Sequence, residues 1–425
     1  MGFLEKIKSV LSFFSISVLM FVFIYSPRLA MRVPLVVCVS IFSIMYICIN
    51  FNFFKNNFFL SRVVLVYLIF FIFAIYLLLV SSINDNGISG AGAPLNWVVT
   101  VFPTGIMLCM FFIKKKESLQ HFIDVLLVAG IFQALIAVVS FFSPEVHKFF
   151  SEFQASLIDS PNAQETFLLM SNWRNFGFAS NLSYSTPVVQ AALSVLALYF
   201  AIEKNYKYLF AFPILLFSAL INARTSFVVF FVGFFLVLLF CGSLKKIFLI
   251  LVVFLASCSS LFFLLRFLYL NGLFVGFDWV FGAIDEILLF VFRQEASGYF
   301  SYIVRTDKWL FPEGLGIFFG LGLRIMQANK YGVASDIGFV NDFWLGGATY
   351  FFLINLVFFY FLSNFVLVSL KKFNLFVFSF FMISFLFLNI KGCVFSFNNF
   401  TNLFFVLYIR ICLQRSRTPV HSFLK

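Results

Sequence analysis

The sequence predicts an all-α polytopic membrane protein with about twelve transmembrane helices and two large outer loops. Three observations support this fold class. Of the 425 residues, 63% are hydrophobic and 11% are charged, whereas soluble domains have about 45–50% apolar and about 25% charged residues. The apolar residues form continuous runs, each close to the roughly 20 residues that a helix needs to cross a bilayer. The basic residues collect between alternate runs, which is typical of cytoplasmic connections.

The composition also limits the partners of the chain. Phe contributes 72 residues and the mean hydropathy is +1.05, so the chain has too little polar surface to be solvated by water. A net charge of +12 suggests nucleic-acid binding, but Lys and Arg are dispersed between apolar runs, where they orient the chain toward the anionic inner leaflet. We therefore expect membrane lipids as partners and no nucleic acid.

The apolar runs give the transmembrane elements in order. A helix satisfies its backbone hydrogen bonds within the segment, so it is the expected conformation of such a run in hydrocarbon. The whole chain, 1–425, is then one integral membrane domain. We expect spans near residues 9–25, 33–51, 63–81, 97–113, 120–142, 182–202, 207–222, 225–242, 247–270, 347–369, 373–391 and 400–414.

The charges place both termini on the cytoplasmic side. With this orientation every predicted inner connection is basic, and the outer connection 82–96 contains neither Lys nor Arg. Arg28 and Arg32, in the first outer turn, oppose the pattern. The inner connections contain Lys6, Lys8, Lys55, Arg62, Lys114, Lys115, Lys116, Lys204, Lys207, Lys245, Lys246, Lys371, Lys372, Arg415, Arg417 and Lys425.

Two outer connections are much longer than turns, at about residues 143–181 and 271–346. Helix–helix connections usually take about 2–8 residues, and longer ones are mostly functional or disordered. The first contains Trp and Phe and the second Trp, Tyr and Phe, a composition that is atypical of disorder. We therefore expect the functional residues in these two loops.

Arginines are the most informative residues of the outer face. Arg174, Arg224, Arg305 and Arg324 lie in or beside the outer loops. An Arg at membrane depth costs about 2.5–3.5 kcal/mol and usually faces a cavity or pathway, although Arg224 has the alternative of reaching out to the headgroups. Guanidinium groups stay charged and bind phosphate with two hydrogen bonds, so the set predicts an anionic ligand such as a lipid-linked diphosphate.

Carboxylates at the end of the second large loop are the candidates for a general base. Asp336 is the stronger candidate and Asp342 the weaker one. Capping of the following helix is the alternative role for Asp336. The three histidines, His121, His147 and His421, form no catalytic or metal-binding pattern, and phosphate-loop and nucleophile-elbow motifs are absent.

Short polar and glycine motifs follow one another along roughly residues 165–360. They are Trp173-Arg174-x-x-Gly177-Phe178, Ala223-Arg224-Thr225, Arg305-x-x-x-Trp309, Gly314-Leu315-Gly316, Gly320-Leu321-Gly322, Ser335-Asp336-x-Gly338-Phe339 and Gly346-Gly347. In this order, and together with the architecture of the whole chain, they resemble the Wzy-type O-antigen polymerases.

The resemblance implies an enzyme of surface-polysaccharide (lipopolysaccharide) biosynthesis in the bacterial inner membrane. Such an enzyme transfers a growing glycan from undecaprenyl diphosphate to a lipid-linked repeat unit at the periplasmic face, as a metal-independent glycosyltransferase without cofactor. The implied partners are an undecaprenyl-diphosphate-linked oligosaccharide and a chain-length regulator protein. Arg174, Arg224, Arg305 and Arg324 would bind the diphosphate, and Asp336 would be the catalytic base.

Two alternatives share the architecture. O-antigen ligases use an outer-loop His near the position that Ser335 and Asp336 occupy here, and this chain has no His between His147 and His421. Polysaccharide flippases also have about twelve spans and cationic cavities, but transporters often contain internal repeats, which this sequence lacks. Polymerase is therefore the favoured interpretation, with ligase or flippase as the alternative.

Overall fold

The computed structural model is almost entirely helical over the residues that it describes. These are residues 3–27, 35–59, 62–86, 92–115, 117–158, 164–165, 167–168, 178–179, 185–222, 224–240, 242–270, 304–305, 311–325, 334–335, 337–368, 372–391 and 399–414. The longer helices within these ranges are α1 (Phe3–Tyr25), α2 (Leu35–Ile49), α3 (Arg62–Ile83), α4 (Phe102–Lys114), α5 (Leu119–Phe142), α6 (Pro144–Ser156), α7 (Ser185–Glu203), α8 (Ala211–Leu220), α9 (Arg224–Phe240), α10 (Leu244–Leu270), α11 (Gly338–Val368), α12 (Lys372–Lys391) and α13 (Asn399–Gln414).

Shorter elements connect several of these helices. A π-helical segment, Trp97–Val101, joins the short helix Gly92–Asn96 to α4, and a 3-10 helix, Tyr206–Phe210, leads into α8. The short helix Gly316–Phe319 lies in the second predicted outer loop. Two-residue strands β1 (Val304–Arg305) and β2 (Ala334–Ser335) pair antiparallel in the same loop.

Several helices have the length and apolar composition of membrane spans. Within the described ranges, six qualify: Val63–Ile83, Pro94–Lys114, Leu119–Phe142, Ser185–Glu203, Gly338–Ser363 and Lys372–Ile390. A seventh candidate is the pair Leu35–Ile49 and Phe51–Asn57, which is bent by 85°. The chain is therefore an all-α protein with the helices of a multi-pass membrane protein.

The predicted count of about twelve spans goes beyond these six or seven helices and stays a prediction, as do the outer loops at 143–181 and 271–346. Each remaining predicted span nevertheless coincides with a helix. Four are shorter apolar helices, and the predicted span 247–270 lies within α10. The shorter helices are Ser9–Tyr25, Tyr206–Leu220, Thr225–Phe240 and Asn399–Ile411.

The bend after α2 lies at Asn50, whose backbone departs from helix with φ −105° and ψ 31°. Its side chain forms two hydrogen bonds at this point. Asn50 Nδ2 donates to the Tyr46 carbonyl oxygen at 2.8 Å, and Asn50 Oδ1 accepts one from Lys114 Nζ. Asn is a residue type that suits the end of a helix, because its side chain can bond to nearby backbone in non-helical conformations.

The chain divides into two compact units, of which the first comprises Met1–Leu35 and Gln120–Ser297. Its centre is α7, which is buried from Ser185 to Ile202 and packs against α8 and α9. Gln190 on α7 donates from Nε2 to Tyr25 Oη at 2.9 Å and to the Gly130 carbonyl oxygen at 3.2 Å. A Cβ on Gly130 would lie 2.4 Å from Leu193 Cδ1, so glycine permits the close approach of α5 to α7.

The second unit comprises Val36–Leu119 and Gly298–Lys425, and aromatic side chains fill its core. Phe70 is central to this cluster. Its ring centroid lies 4.3 Å from that of Trp97, 5.7 Å from Phe102, 5.9 Å from Phe361 and 5.8 Å from Phe405. Edge-to-face and offset ring pairs of this kind add about 0.5–1.5 kcal/mol each beyond the area they bury, so the abundant Phe ties α3, α4, α11 and α13 together.

Helix α11 is interrupted within the second unit. Gly346 (φ −139°, ψ 17°) and Gly347 (φ 65°, ψ −169°) have non-helical backbones. The positive φ of Gly347 favours glycine, and a Cβ there would lie 2.3 Å from the Phe318 carbonyl carbon. The interruption frees backbone carbonyl groups just before it, and these groups need other donors because an unpaired buried carbonyl is costly.

Candidate functional site

Segment 311–325 supplies the donors that the broken helix needs. The Leu321 amide donates to the Trp344 carbonyl oxygen at 2.8 Å, and the Gly322 amide donates to the Leu345 carbonyl oxygen at 3.0 Å. Leu321 also packs with the buried residues Val340 and Trp344. The segment and the helix break therefore form one structural element, although the two lie about 20 residues apart in the sequence.

Helix α3 and the turn that follows it hold the other side of the segment. Tyr76 Oη donates to the Gly346 carbonyl oxygen at 2.9 Å and lies 3.2 Å from that of Phe319. Ser81 Oγ donates to the Gly322 carbonyl oxygen at 3.0 Å, and Asn86 Nδ2 donates to that of Leu321. Side-chain bonds thus satisfy the backbone of a loop that lies against a candidate span.

Two glycines give the Gly320-Leu321-Gly322 motif its structural role. Gly320 and Gly322 have φ of 72° and 73°, which side chains rarely adopt. A Cβ on Gly320 would lie 2.5 Å from the Gly346 amide nitrogen, and one on Gly322 would lie 2.5 Å from Ser81 Cα. Only glycine fits between α3 and the break of α11 at these positions.

Two further hydrogen bonds fix the backbone next to Arg324 and Asp342. The Ile325 amide donates to Asn341 Oδ1 at 2.8 Å, and Asn341 Nδ2 donates to the Ile337 carbonyl oxygen at 2.9 Å. Arg324 immediately precedes Ile325 in the loop, and Asp342 immediately follows Asn341 on α11. These hydrogen bonds join the loop backbone next to Arg324 to the part of α11 that carries Asp342.

The charged ends of Asp342 and Arg324 include buried atoms that have no hydrogen-bond partner among the described residues. Asp342 is 1% exposed, and within the described structure both of its carboxylate oxygens lack a hydrogen-bond partner. Arg324 is partly exposed, but its Nε and Nη2 atoms are buried and equally unpaired in that part of the chain. Charged groups in protein interiors are normally paired and hydrogen-bonded, so this arrangement is a candidate for ligand binding.

The structure places the other predicted site residues only in part. Arg174 and Asp336 lie outside the described residues. Arg224 is the first residue of α9 in the first unit, and its side chain is not described. The backbone of Arg305 pairs with that of Ala334, so two motifs that are separate in the sequence are adjacent in the second unit.

Sequence reasoning missed the residues that build this site around the charges. Tyr76 and Ser81 looked like ordinary members of an apolar span, and Asn341 looked like part of a polar loop. A signal was present, because polar side chains within spans are expensive and usually have a partner.

The site has the chemistry to bind an anion. The Nε–Nη2 edge of a guanidinium binds a carboxylate or phosphate through two parallel hydrogen bonds, and low polarity around it strengthens the interaction. No three His, Cys, Asp or Glu side chains in the described ranges lie close enough together to hold a metal ion. The chain matches no protein-family model, no curated protein and no solved structure.

Proposed function

We propose that this chain is a surface-polysaccharide polymerase of the bacterial inner membrane. It transfers a growing glycan from undecaprenyl diphosphate to a new lipid-linked repeat unit at the periplasmic face. The proposal rests on the ordered motifs of the sequence and on their resemblance to the Wzy-type O-antigen polymerases. An undecaprenyl-diphosphate-linked oligosaccharide is then the substrate, and a chain-length regulator protein is an expected partner.

The Arg324 guanidinium is the observation that best supports this function. Its Nε and Nη2 atoms are buried and have no hydrogen-bond partner among the described residues. A diphosphate offers the paired oxygen acceptors that such an edge binds. Arg324 also lies in the segment that bonds to the broken helix, and because its Nε and Nη2 atoms are buried, little water screens the charge at this edge.

The surroundings of Arg324 suit a lipid-linked substrate. The same segment exposes apolar side chains, with Leu315 76%, Phe318 58% and Phe319 51% exposed. The hydrocarbon of a bilayer solvates exposed apolar side chains, and there they can contact an isoprenoid chain. One segment therefore combines a cationic group for the diphosphate with an apolar surface for its lipid.

Glycosyl transfer fits these groups. A hydroxyl oxygen of the acceptor sugar attacks the anomeric carbon of the donor glycan, the bond from that carbon to the diphosphate oxygen breaks, and its electron pair leaves with the diphosphate. Fixed arginines stabilise the growing negative charge without a metal ion. The hydroxyl proton passes to a carboxylate, for which Asp336 is the candidate.

The function can be tested on the surface polysaccharide of a strain from which the gene has been deleted. The same strain can then be complemented with the gene for each variant. We expect loss of the long ladder with one repeat still present on the lipid core, because a polymerase acts after the first repeat is made. Loss of every repeat would indicate a ligase or a flippase instead.

Variants of Arg324 connect this phenotype to the site. We expect Arg324→Ala to behave like the deletion and Arg324→Lys to restore short chains only, because an ammonium group lacks the planar fork. Lys148→Ala is the matched control, since Lys148 is a 75% exposed cation of the other predicted outer loop and should be dispensable.

A further inference from the structure

The short helix Phe51–Asn57 lies at 85° to the preceding helix α2, so a chain that crosses the bilayer along α2 turns into the membrane plane after Asn50. The depth of this short helix follows from a neighbouring span. The candidate span Pro94–Lys114 ends at Lys114, and the Lys114 ammonium contacts both Asn50 and Phe53. Phe51–Asn57, hereafter the surface helix, therefore lies where a span ends, at the border between hydrocarbon and headgroups.

The two sides of the surface helix differ in polarity. Asn52, Lys55 and Asn56 are exposed and lie at the helical spacing of neighbouring turns, so they share one side. Phe51 is 51% exposed, and Phe54 packs beside it with the two ring centroids 6.3 Å apart. A helix with a cationic polar side and exposed aromatic groups is typical of a segment in the membrane interface, with its aromatic groups toward the acyl chains.

Two lysines bring positive charge to this surface. Lys55 is exposed on the surface helix, and Lys114 is exposed at the end of the neighbouring span. The ion pairs in the described ranges involve other residues, so no carboxylate there neutralises either ammonium group. The Lys114 ammonium lies 5.3 Å from the centroid of the Phe53 ring, which places it beside the helix that carries Lys55.

Contacts with its neighbours hold the Lys114 side chain in position. Its Nζ atom donates a hydrogen bond to Asn50 Oδ1 and lies 5.4 Å from the centroid of the Tyr46 ring. Together with the Phe53 ring, Tyr46 attracts the ammonium through its quadrupole, and the ammonium keeps further hydrogens to donate. A long side chain that is already ordered loses less entropy on binding, so Lys114 is prepared to bind an anion.

We propose that the surface helix and Lys114 bind the headgroup of an anionic phospholipid such as phosphatidylglycerol. The phosphodiester oxygens accept hydrogen bonds from the Lys55 and Lys114 ammonium groups, and the acyl chains pass Phe51 into the hydrocarbon. A lipid fits better than a free anion because the same helix exposes an aromatic group. The bound lipid links the bent end of α2 to the end of α4 and stabilises the second unit. This site does not depend on the proposed polymerase function.

The melting temperature of the purified full-length chain in neutral detergent, followed during titration with short-chain phosphatidylglycerol, tests the site. A ligand that binds the folded state raises this temperature, so we expect saturable stabilisation by phosphatidylglycerol and little by phosphatidylcholine, whose headgroup has no net charge. Lys55→Gln should weaken the apparent affinity about fivefold, which corresponds to the roughly 1 kcal/mol that one Lys contributes near an anionic membrane surface. Lys55→Arg keeps the charge and should keep the affinity.

Lys204→Gln is the matched control, since Lys204 is an exposed cation of another predicted inner connection, in the first unit, and should leave the affinity unchanged. Lys114→Gln should weaken binding at least as much as Lys55→Gln. If Lys114→Gln does not fold, the Lys55 variants decide, because Lys55 is exposed and its replacement leaves the packing intact.

Four outcomes would overturn the site. An equal loss of affinity in Lys204→Gln and Lys55→Gln would indicate general attraction to a basic surface. Equal stabilisation by phosphatidylcholine would show that the headgroup charge is not recognised. Equal stabilisation by inorganic phosphate would show that no lipid is needed. A dimer that forms without any response to phosphatidylglycerol would assign the surface to a second copy of the chain.

Discussion

The Ile325 amide donates a hydrogen bond to Asn341 Oδ1 at 2.8 Å, and this contact sets the register between the loop that carries Arg324 and the helix that carries Asp342. Asn341 is fully buried, and its own Nδ2 atom bonds to the Ile337 carbonyl oxygen. One side chain thus orders both the loop and the start of α11. The position of the proposed anion site depends on this amide.

Asn341→Ala should therefore impair the site as well as the fold. We expect a loss of about 1–3 kcal/mol of stability, because the buried Ile325 amide loses its acceptor, together with shorter polysaccharide chains. Asn355→Ala is the control, since the Asn355 amide bonds to the Phe351 carbonyl oxygen of its own helix. Equal stability and equal chain length for the two variants would show that the Ile325 contact is dispensable.

Gly322→Ala should disrupt the contact between the loop and α3. The added Cβ meets Ser81 Cα at 2.5 Å, and the φ of 73° is itself strained for alanine, by about 1–3 kcal/mol. We expect a lower melting temperature in detergent and loss of the polysaccharide ladder.

Gly92→Ala provides the comparison for that substitution. A Cβ on Gly92 would meet nothing within 4 Å, so we expect wild-type stability and a wild-type ladder. If Gly322→Ala matched Gly92→Ala in both measurements, the described packing of the loop would be wrong.

The polar contact in the first unit predicts a coupled effect on stability. Gln190 Nε2 lies 2.9 Å from Tyr25 Oη, and both residues are completely buried. Hydrogen bonds between transmembrane helices contribute about 0.6 kcal/mol on average and up to about 1.7 kcal/mol. We expect Gln190→Leu and Tyr25→Phe each to lower the free energy of unfolding, with the double variant losing less than the sum. Strict additivity would mean that the two side chains do not interact.

Membrane orientation follows from the basic connections. Alkaline phosphatase fused near residues 160 and 300 should be active, and fusions near Lys115 or Lys245 should be inactive, because the predicted inner connections are basic. Comparable expression of all four fusions is the control. An active fusion near Lys245 would reverse the predicted orientation from α9 onward.

The helices were predictable from the sequence, whereas the break in α11 was not. Apolar runs of spanning length indicate helices regardless of their neighbours, and each predicted span coincides with one. The tenth span was predicted to begin at 347, but α11 begins at Gly338 and is interrupted at Gly346 and Gly347. That interruption is stabilised by donors from Leu321 and Gly322, and a pattern read along one segment contains no information about them.

The candidate site was predictable in its residue types and not in its geometry. Arg324 followed from the chemistry of anion binding, since a guanidinium in an outer loop of a membrane protein suggests a phosphate ligand. Asp342 was the weaker candidate for a base, at the end of a predicted loop where an acidic residue is usually solvated. Its burial follows from hydrogen bonds between segment 311–325 and α11, which form only in the folded chain.

Elongation by the purified chain tests the central claim most directly. The protein is placed in lipid vesicles with undecaprenyl-diphosphate-linked repeat units, and the length of the lipid-linked glycan is followed on a gel. We expect a ladder from the wild type and from Lys148→Ala, and a rate at least about 100-fold lower from correctly folded Arg324→Ala, because loss of one group that stabilises transition-state charge costs about 10²–10³ in rate. A full ladder from Arg324→Ala, or none from the wild type, would contradict the account.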